Sequence, residues 1–134
     1  MITVTTTIEA SIENVWDAWT NPSNITQWYH ASDDWHAPYA DNDVRVDGTF
    51  KTTMASKDGS FSFDLEEVYT KLDLHKYIAY TLTDGRNVEI TFNNENGSVN
   101  IIESFDPESQ NSHELQQQGW QMILNNFKKH VESL

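Results

Sequence analysis

Between Val44 and Phe105, apolar residues keep to alternate positions in five successive runs: Val44, Val46, Phe50 and Met54; Phe61, Phe63 and Leu65; Ile78, Tyr80 and Leu82; Val88, Ile90 and Phe92; Val99, Ile101 and Phe105. A period of two is the signature of a strand with one buried face. Turn residues such as Lys57-Asp58-Gly59 separate the runs, and strands joined by short turns form an antiparallel meander. One register follows directly. A two-residue turn at Asp84-Gly85 would set Ile78, Tyr80 and Leu82 against the polar side of the next strand. A three-residue loop, Thr83-Asp84-Gly85, pairs 82 with 86, 80 with 88 and 78 with 90, and so brings the apolar sets to one face. Because a one-residue slip inverts every side chain, the sequence calls for the longer loop with Gly85 left-handed.

Helical spacing appears on either side of the meander. Ile2, Val4, Thr6 and Ile8 form a first strand. Ser11 then caps a helix whose face carries Ile12, Val15, Trp16 and Trp19. Asn21-Pro22 opens a second short helix that ends near Trp28. At the other end a long helix runs from about Ser112 to Ser133. At 100° per residue, Ile123, Leu124, Phe127, Val131 and Leu134 fall within about 60° of Trp120. The N-terminal half of this stripe is polar, with His113, Gln116 and Gln117. Gly119, beside Trp120, costs about 1 kcal/mol of helix propensity, which points to a close approach by another element. The order is strand, two short helices, about six strands in all, and one long helix. This is an α+β arrangement, a single domain over 1–134 with the long helix on the apolar face of the sheet.

Composition narrows the function classes. There is no cysteine, which excludes disulfides and thiolate chemistry and suits a reducing cytoplasm. The N-terminus lacks the basic and apolar regions of a signal peptide, and no apolar run approaches the roughly 20 residues of a membrane span. Eight basic residues against 21 acidic ones give a net charge of −13, a surface that repels nucleic acid and anionic lipid. No serine has the glycine pattern of a nucleophile elbow and no glycine-rich phosphate loop is present.

The segments IEASIENVWDAWTNPSNITQW, VDGTFKTTM, YIAYTLTDGRNVEITF and GWQMILNNFKKHVESL resemble those of the bacterial proteins related to the activator of the ninety-kilodalton heat-shock-protein ATPase. These stand in the superfamily of START domains, polyketide cyclases/aromatases and the birch-pollen allergen. The resemblance spans essentially the whole chain. It implies the helix-grip fold, a curved antiparallel sheet around a long C-terminal helix, with an apolar cavity between the two and no cofactor or metal. Two positions depart from the common pattern: Ser11 stands where many relatives have proline, and Asp47-Gly48 where many have two glycines. The eukaryotic activator has a further N-terminal domain that docks on the chaperone. With no room for one in 134 residues, a chaperone partner ranks behind a hydrophobic small-molecule ligand, bound by a monomer or homodimer.

Given a cavity, its wall candidates are Trp28, Trp35, Phe50, Met54, Phe61, Phe63, Tyr80, Ile90, Glu103, Phe105, Trp120 and Leu124; the plainer alternative is that they fill a solid core. His113, Gln116 and Gln117 would meet the polar end of a ligand. Glu103 shares the parity of Val99, Ile101 and Phe105 and so points toward the helix. If Phe92 pairs with Val99, Arg86 lies diagonal to Glu103, and a rim ion pair results. Glu66 and Glu67 interrupt the alternation between Leu65 and Val68, which a β-bulge accommodates. His75 and His130 fit solvated positions. The stretch YHASDDWHAP, from Tyr29 to Pro38, holds His30, Asp33, Asp34 and His36. It lacks the i, i+4 pairing of a helical metal site, and reads as a lid-like loop with Trp35 folded inward. No catalytic residue is assigned. The readings in play are a ligand-binding module, a cyclase-like enzyme using pocket groups such as Glu103 and Tyr80, and a chaperone-interaction module.

Overall fold

β1 (Ile2–Ile8) does not pair with the strand that follows it in sequence. It lies at one edge of the sheet beside the last strand, β7 (Ser98–Phe105), in a computed structural model that describes all residues 1–134. From β7 the sheet steps back through β6 (Asn87–Glu95), β5 (Tyr77–Leu82), β4 (Ser62–Asp73) and β3 (Thr49–Ser56) to β2 (Trp35–Asn42) at the far edge. All pairings are antiparallel, and the sheet curls into a half-barrel around α3 (His113–Glu132). Two short helices, α1 (Ile12–Thr20) and α2 (Pro22–Trp28), follow β1.

The local signals act as their chemistry demands. The Ser11 hydroxyl accepts the Asn14 N–H at 3.2 Å and starts α1. Asn21 serves both short helices: its own N–H closes α1 on the Asp17 carbonyl, and its Oδ1 accepts the Ser23 N–H at 3.0 Å to open α2, with Pro22 in the first turn. The Ser112 hydroxyl caps α3 on Leu115. In the β5–β6 hairpin Ile78 faces Ile90 and Tyr80 faces Val88. The Leu82 N–H bonds the Arg86 carbonyl at 2.8 Å and Gly85 takes φ +91°, the three-residue register that the apolar pattern required.

Four expectations are corrected. The sheet has seven strands, because Trp35–Asn42 is an edge strand and only the first part of YHASDDWHAP is a loop. Pro38 can stand in β2 because β2 lies at an edge, beside a register shift. Val44 and Val46 belong to the exposed loop before β3, where Asp47 takes φ +69° and a side chain at Gly48 would collide with the Asp43 carbonyl oxygen. The irregularity in β4 falls between Tyr69 and Lys71, so Phe63, Leu65, Glu67 and Tyr69 share one face and Val68 points outward. Gly119 has no close neighbour, since a Cβ built on it meets nothing within 4 Å.

α3 lays Leu124, Phe127 and Val131 on the sheet, while Leu134 lies beyond the helix and is 71% exposed. Around Phe127 the interior is closed by aromatic rings. Its centroid lies 4.8 Å from Trp19 and 4.7 Å from Trp28, and Trp19 meets Phe92 edge-on at 5.7 Å. The Trp28 indole N–H is satisfied by the Ala18 carbonyl at 2.9 Å, as a buried donor must be. Along its other flank α3 covers the free edge of β1. Gln117, Gln121 and Lys128 donate to the Thr3, Thr5 and Thr7 carbonyls, which blunts an edge that would otherwise invite another strand.

Candidate functional site: a cavity with two buried glutamates

The N-terminal half of α3 does not close on the sheet. A cavity of about 320 Å³ lies between it and β3, β4, β5 and β7, the lower end of the range for small-molecule sites. Trp19, Trp28, Met54, Leu65, Leu82, Trp120, Ile123 and Leu124 form its apolar wall, and the half-exposed Phe63 stands at its rim. Trp120 stacks on Phe105, with centroids 3.8 Å apart and planes within 9°.

Two carboxylates face this apolar space. Glu67, on β4, is 1% exposed and Glu103, on β7, is 7% exposed. None of the protein's ion pairs includes either residue. Glu67 Oε1 accepts from the Tyr29 hydroxyl at 3.5 Å, a long and weak hydrogen bond. Its Oε2 is buried with no partner at all. Burial raises both carboxyl groups from the usual carboxylate range to about 8, and at Glu67 repulsion from Glu103 adds to this. The phenols of Tyr29 and Tyr80, buried alongside, are pushed up by the same burial and the same carboxylates. Both carboxyls therefore hold a proton at neutral pH in the empty cavity, and each can change ionisation state if a charged group enters.

The mouth is built from the loop after β7. Gln116, on the first turn of α3, spends its amide on that loop: Oε1 accepts the Glu108 N–H at 2.9 Å, and Nε2 donates to the Glu108 and Asn111 carbonyls at 3.0 and 2.9 Å. Arg86 lines the mouth, its Nε 2.8 Å from Asp84. Glu108 is held below the usual carboxylate range by the Gln110 and Asn111 N–H groups, with a smaller contribution from Arg86.

A family profile described as "Activator of Hsp90 ATPase homolog 1-like protein" matches residues 9–132. The chain belongs to this family. The solution structure of the AHSA1-like protein from Aeromonas hydrophila is 39% identical with a TM-score of 0.90, over 98% of this chain and 93% of that one. A protein from Cytophaga hutchinsonii is 52% identical with a TM-score of 0.85, over 98% and 92% of the two chains. A protein from Nitrosomonas europaea, 13% identical with a TM-score of 0.81 over 98% and 95%, shares the fold. A search of the curated proteins finds no match.

Within this family fold, the expected wall residues divide into two sets. Trp28, Met54, Phe63, Glu103, Gln116, Trp120 and Leu124 line the cavity. Phe50, Ile90 and Phe105 are core residues behind it, and Tyr80 is buried beside Phe50 and Tyr69. Trp35 packs edge-on against Phe63 at 5.9 Å, outside the lining. Phe61 lies just before β4 and is 67% exposed. His113 is exposed, and the Gln117 amide is committed to the Thr3 carbonyl. The polar half of the α3 stripe therefore fastens the loop and the edge strand. Arg86 does not pair with Glu103 either. Phe92 pairs with Ile101 and Ile90 with Glu103, a register that carries Arg86 past the end of β7. Trp19, Tyr29, Leu65, Glu67, Leu82, Arg86, Glu108, Asn111 and Ile123 are the lining residues that the sequence reading left out. For Glu67 the signal was present. Phe63, Leu65 and Tyr69 are all odd-numbered, and unbroken alternation through Tyr69 places Glu67 inside. Nowhere in the protein, the stretch YHASDDWHAP included, do three or more His, Asp or Glu side chains converge as metal ligands would.

Proposed function

We propose that this protein binds a hydrophobic or amphipathic small molecule in the cavity between the N-terminal half of α3 and the sheet. The observation that carries this reading is the cavity itself. It is apolar and about 320 Å³ in volume, and it adjoins a tightly packed aromatic core that shows the chain has the means to fill such a space. A solid interior with an exposed apolar patch would have favoured a chaperone-docking module instead. No helix is long and apolar enough to cross a membrane, and a chain without cysteine fits the cytoplasm as its compartment.

Native mass spectrometry of freshly purified protein should show a co-purifying small molecule. The neutral dye Nile red should bind at one site and quench the emission of Trp19, Trp28 and Trp120. Met54→Trp, which pushes a larger side chain from the wall into the cavity, should abolish dye binding while leaving the fold intact. A protein that carries no ligand and binds no apolar probe would remove the basis for this reading.

A second reading rests on the two carboxyl groups raised to about 8. Cavity acids poised near neutrality can transfer protons to a bound molecule. Turnover of the co-purified compound, lost in both Glu67→Gln and Glu103→Gln, would identify an enzyme. Binding without turnover would identify a carrier.

A further inference from the structure

We infer that the ligand of this cavity carries a protonated amine, and that Glu67 and Glu103 are its counter-charges, while the aromatic walls hold its apolar body. This rests on the binding reading above and specifies the ligand's chemical class.

The argument starts from an unmet requirement. Glu67 Oε2 is buried in the cavity wall with no hydrogen-bond partner. Its Oε1 has the long contact from Tyr29, and the Tyr80 hydroxyl, near enough to favour the ionised carboxyl, makes no hydrogen bond to Oε2. A buried polar atom left unpaired is costly, and native interiors rarely tolerate one without a reason. Glu103 projects into the same space from a strand three positions away in the sheet, so acceptor capacity converges from two walls. The one cation that lines the cavity is Arg86, at the mouth, and the groups beside Glu67 supply none. Tyr29 follows α2 and Tyr80 is on β5, both neutral phenols with raised ionisation. Arg86, at the mouth, is bound to Asp84 and has Glu108 nearby.

Three kinds of head group can be compared. A carboxylate or phosphate could accept from the carboxyls only while both stay protonated, and would gain no charge partner from either wall. A purely apolar end would leave Oε2 unpaired. An ammonium brings three donors, no acceptor and a positive charge, which satisfies both carboxylates together. Trp28, Tyr29 and Trp120 line the cavity and supply aromatic surface for the apolar stem of such a ligand. The net charge of −13 favours the approach of a cation.

The linkage gives a readout that a merely structural pair would not produce. An ammonium stabilises the ionised carboxylates, so the protons they hold in the empty cavity at neutral pH leave as the ligand enters. Between one and two protons should be released per amine bound at pH 7, one for each carboxyl that ionises.

The test uses the full chain and three probes that share an eight-carbon tail: n-octylamine, 1-octanol and octanoate. Each is titrated calorimetrically at pH 7 in phosphate and in Tris, whose ionisation enthalpies differ. Octylamine should bind at least tenfold more tightly than the other two and release protons to the buffer. In Glu67→Gln and in Glu103→Gln the ratio of octylamine affinity to 1-octanol affinity should fall tenfold or more. The probe ranking and the proton release are measured on the unaltered protein, so they decide the matter even if a variant fails to fold. If 1-octanol or octanoate binds as tightly as octylamine, or octylamine binds without releasing protons, the amine assignment is overturned while the cavity reading stands. If none of the three binds, the cavity reading falls with it.

Discussion

The two halves of α3 rest on the same curved sheet and make opposite use of it. At the C-terminal half, Phe127 is fully buried against Trp19 and Trp28, and rings from the two short helices fill the space between α3 and the sheet. At the N-terminal half, Gln116, Trp120 and Ile123 stand over a cavity whose opposite walls carry two buried glutamates. A solid aromatic end anchors the helix. With the helix held there, the other end can stay open and can carry carboxyl groups that a close-packed core would not accept. In this molecule stability and chemistry are segregated along one helix.

The largest effect that would test this division is at the closed end. Phe127→Ala should lower stability by roughly 3–5 kcal/mol, as deletion of a fully buried ring does. Chemical denaturation measures it. A loss below about half a kcal/mol would mean that the closed half does not anchor the helix.

At the open end the expected sign is reversed. Glu67 and Glu103 have folded-state values of about 8, above those of an unfolded carboxyl. Between the unfolded value and about 8 the folded protein holds protons that the unfolded chain has released. Stability should therefore fall as pH rises through that window and level off above it. Glu67→Gln removes one such group, so the variant should exceed the parent in stability by a few kcal/mol at pH 8, with the gain shrinking toward pH 5. Denaturation curves at the two pH values supply the comparison. A variant less stable than the parent at pH 8 would show that the ionised carboxylate is satisfied in a way the geometry does not reveal.

Gln116→Ala removes three hydrogen bonds between α3 and the loop at the mouth. A loss of about 1–3 kcal/mol is expected. Stopped-flow measurements should show faster escape of Nile red, because the loop that frames the opening is freed. Unchanged escape would place the route elsewhere.

The smallest effect separates open space from close packing. A Cβ on Gly119 meets nothing within 4 Å, so Gly119→Ala should raise stability by about 0.5–1 kcal/mol through helix propensity alone. Destabilisation would restore the close approach that glycine in mid-helix first suggests.

Much of the fold was legible because periodicity is a local property. The β5–β6 register followed from requiring two apolar sets to share a face, and Gly85 supplies the φ that the loop demands. The short helices declared themselves through Ser11, Asn21 and Pro22. β2 was hidden because an edge strand containing Pro38 needs no alternation and resembles a polar loop. Glu67 was missed for a related reason. Keeping Val68 inside required moving the bulge toward Glu67, whereas the bulge lies beyond Tyr69 and leaves Val68 on the outer face.

By itself the sequence determined which elements form, the face each one buries, and the sharing of one stripe on α3 between apolar and polar residues. These follow from side-chain spacing and turn chemistry, which act over a few residues. Only the tertiary structure decided that the polar end of that stripe fastens a loop and an edge strand, that Arg86 lies out of reach of Glu103, and that Glu67 and Glu103 face one cavity from β4 and β7. Those outcomes depend on the curl of a seven-stranded sheet and on strand registers set by the packing of the whole. A carboxylate's partner, or its lack of one, is fixed across the fold, between residues that spacing along the chain does not relate.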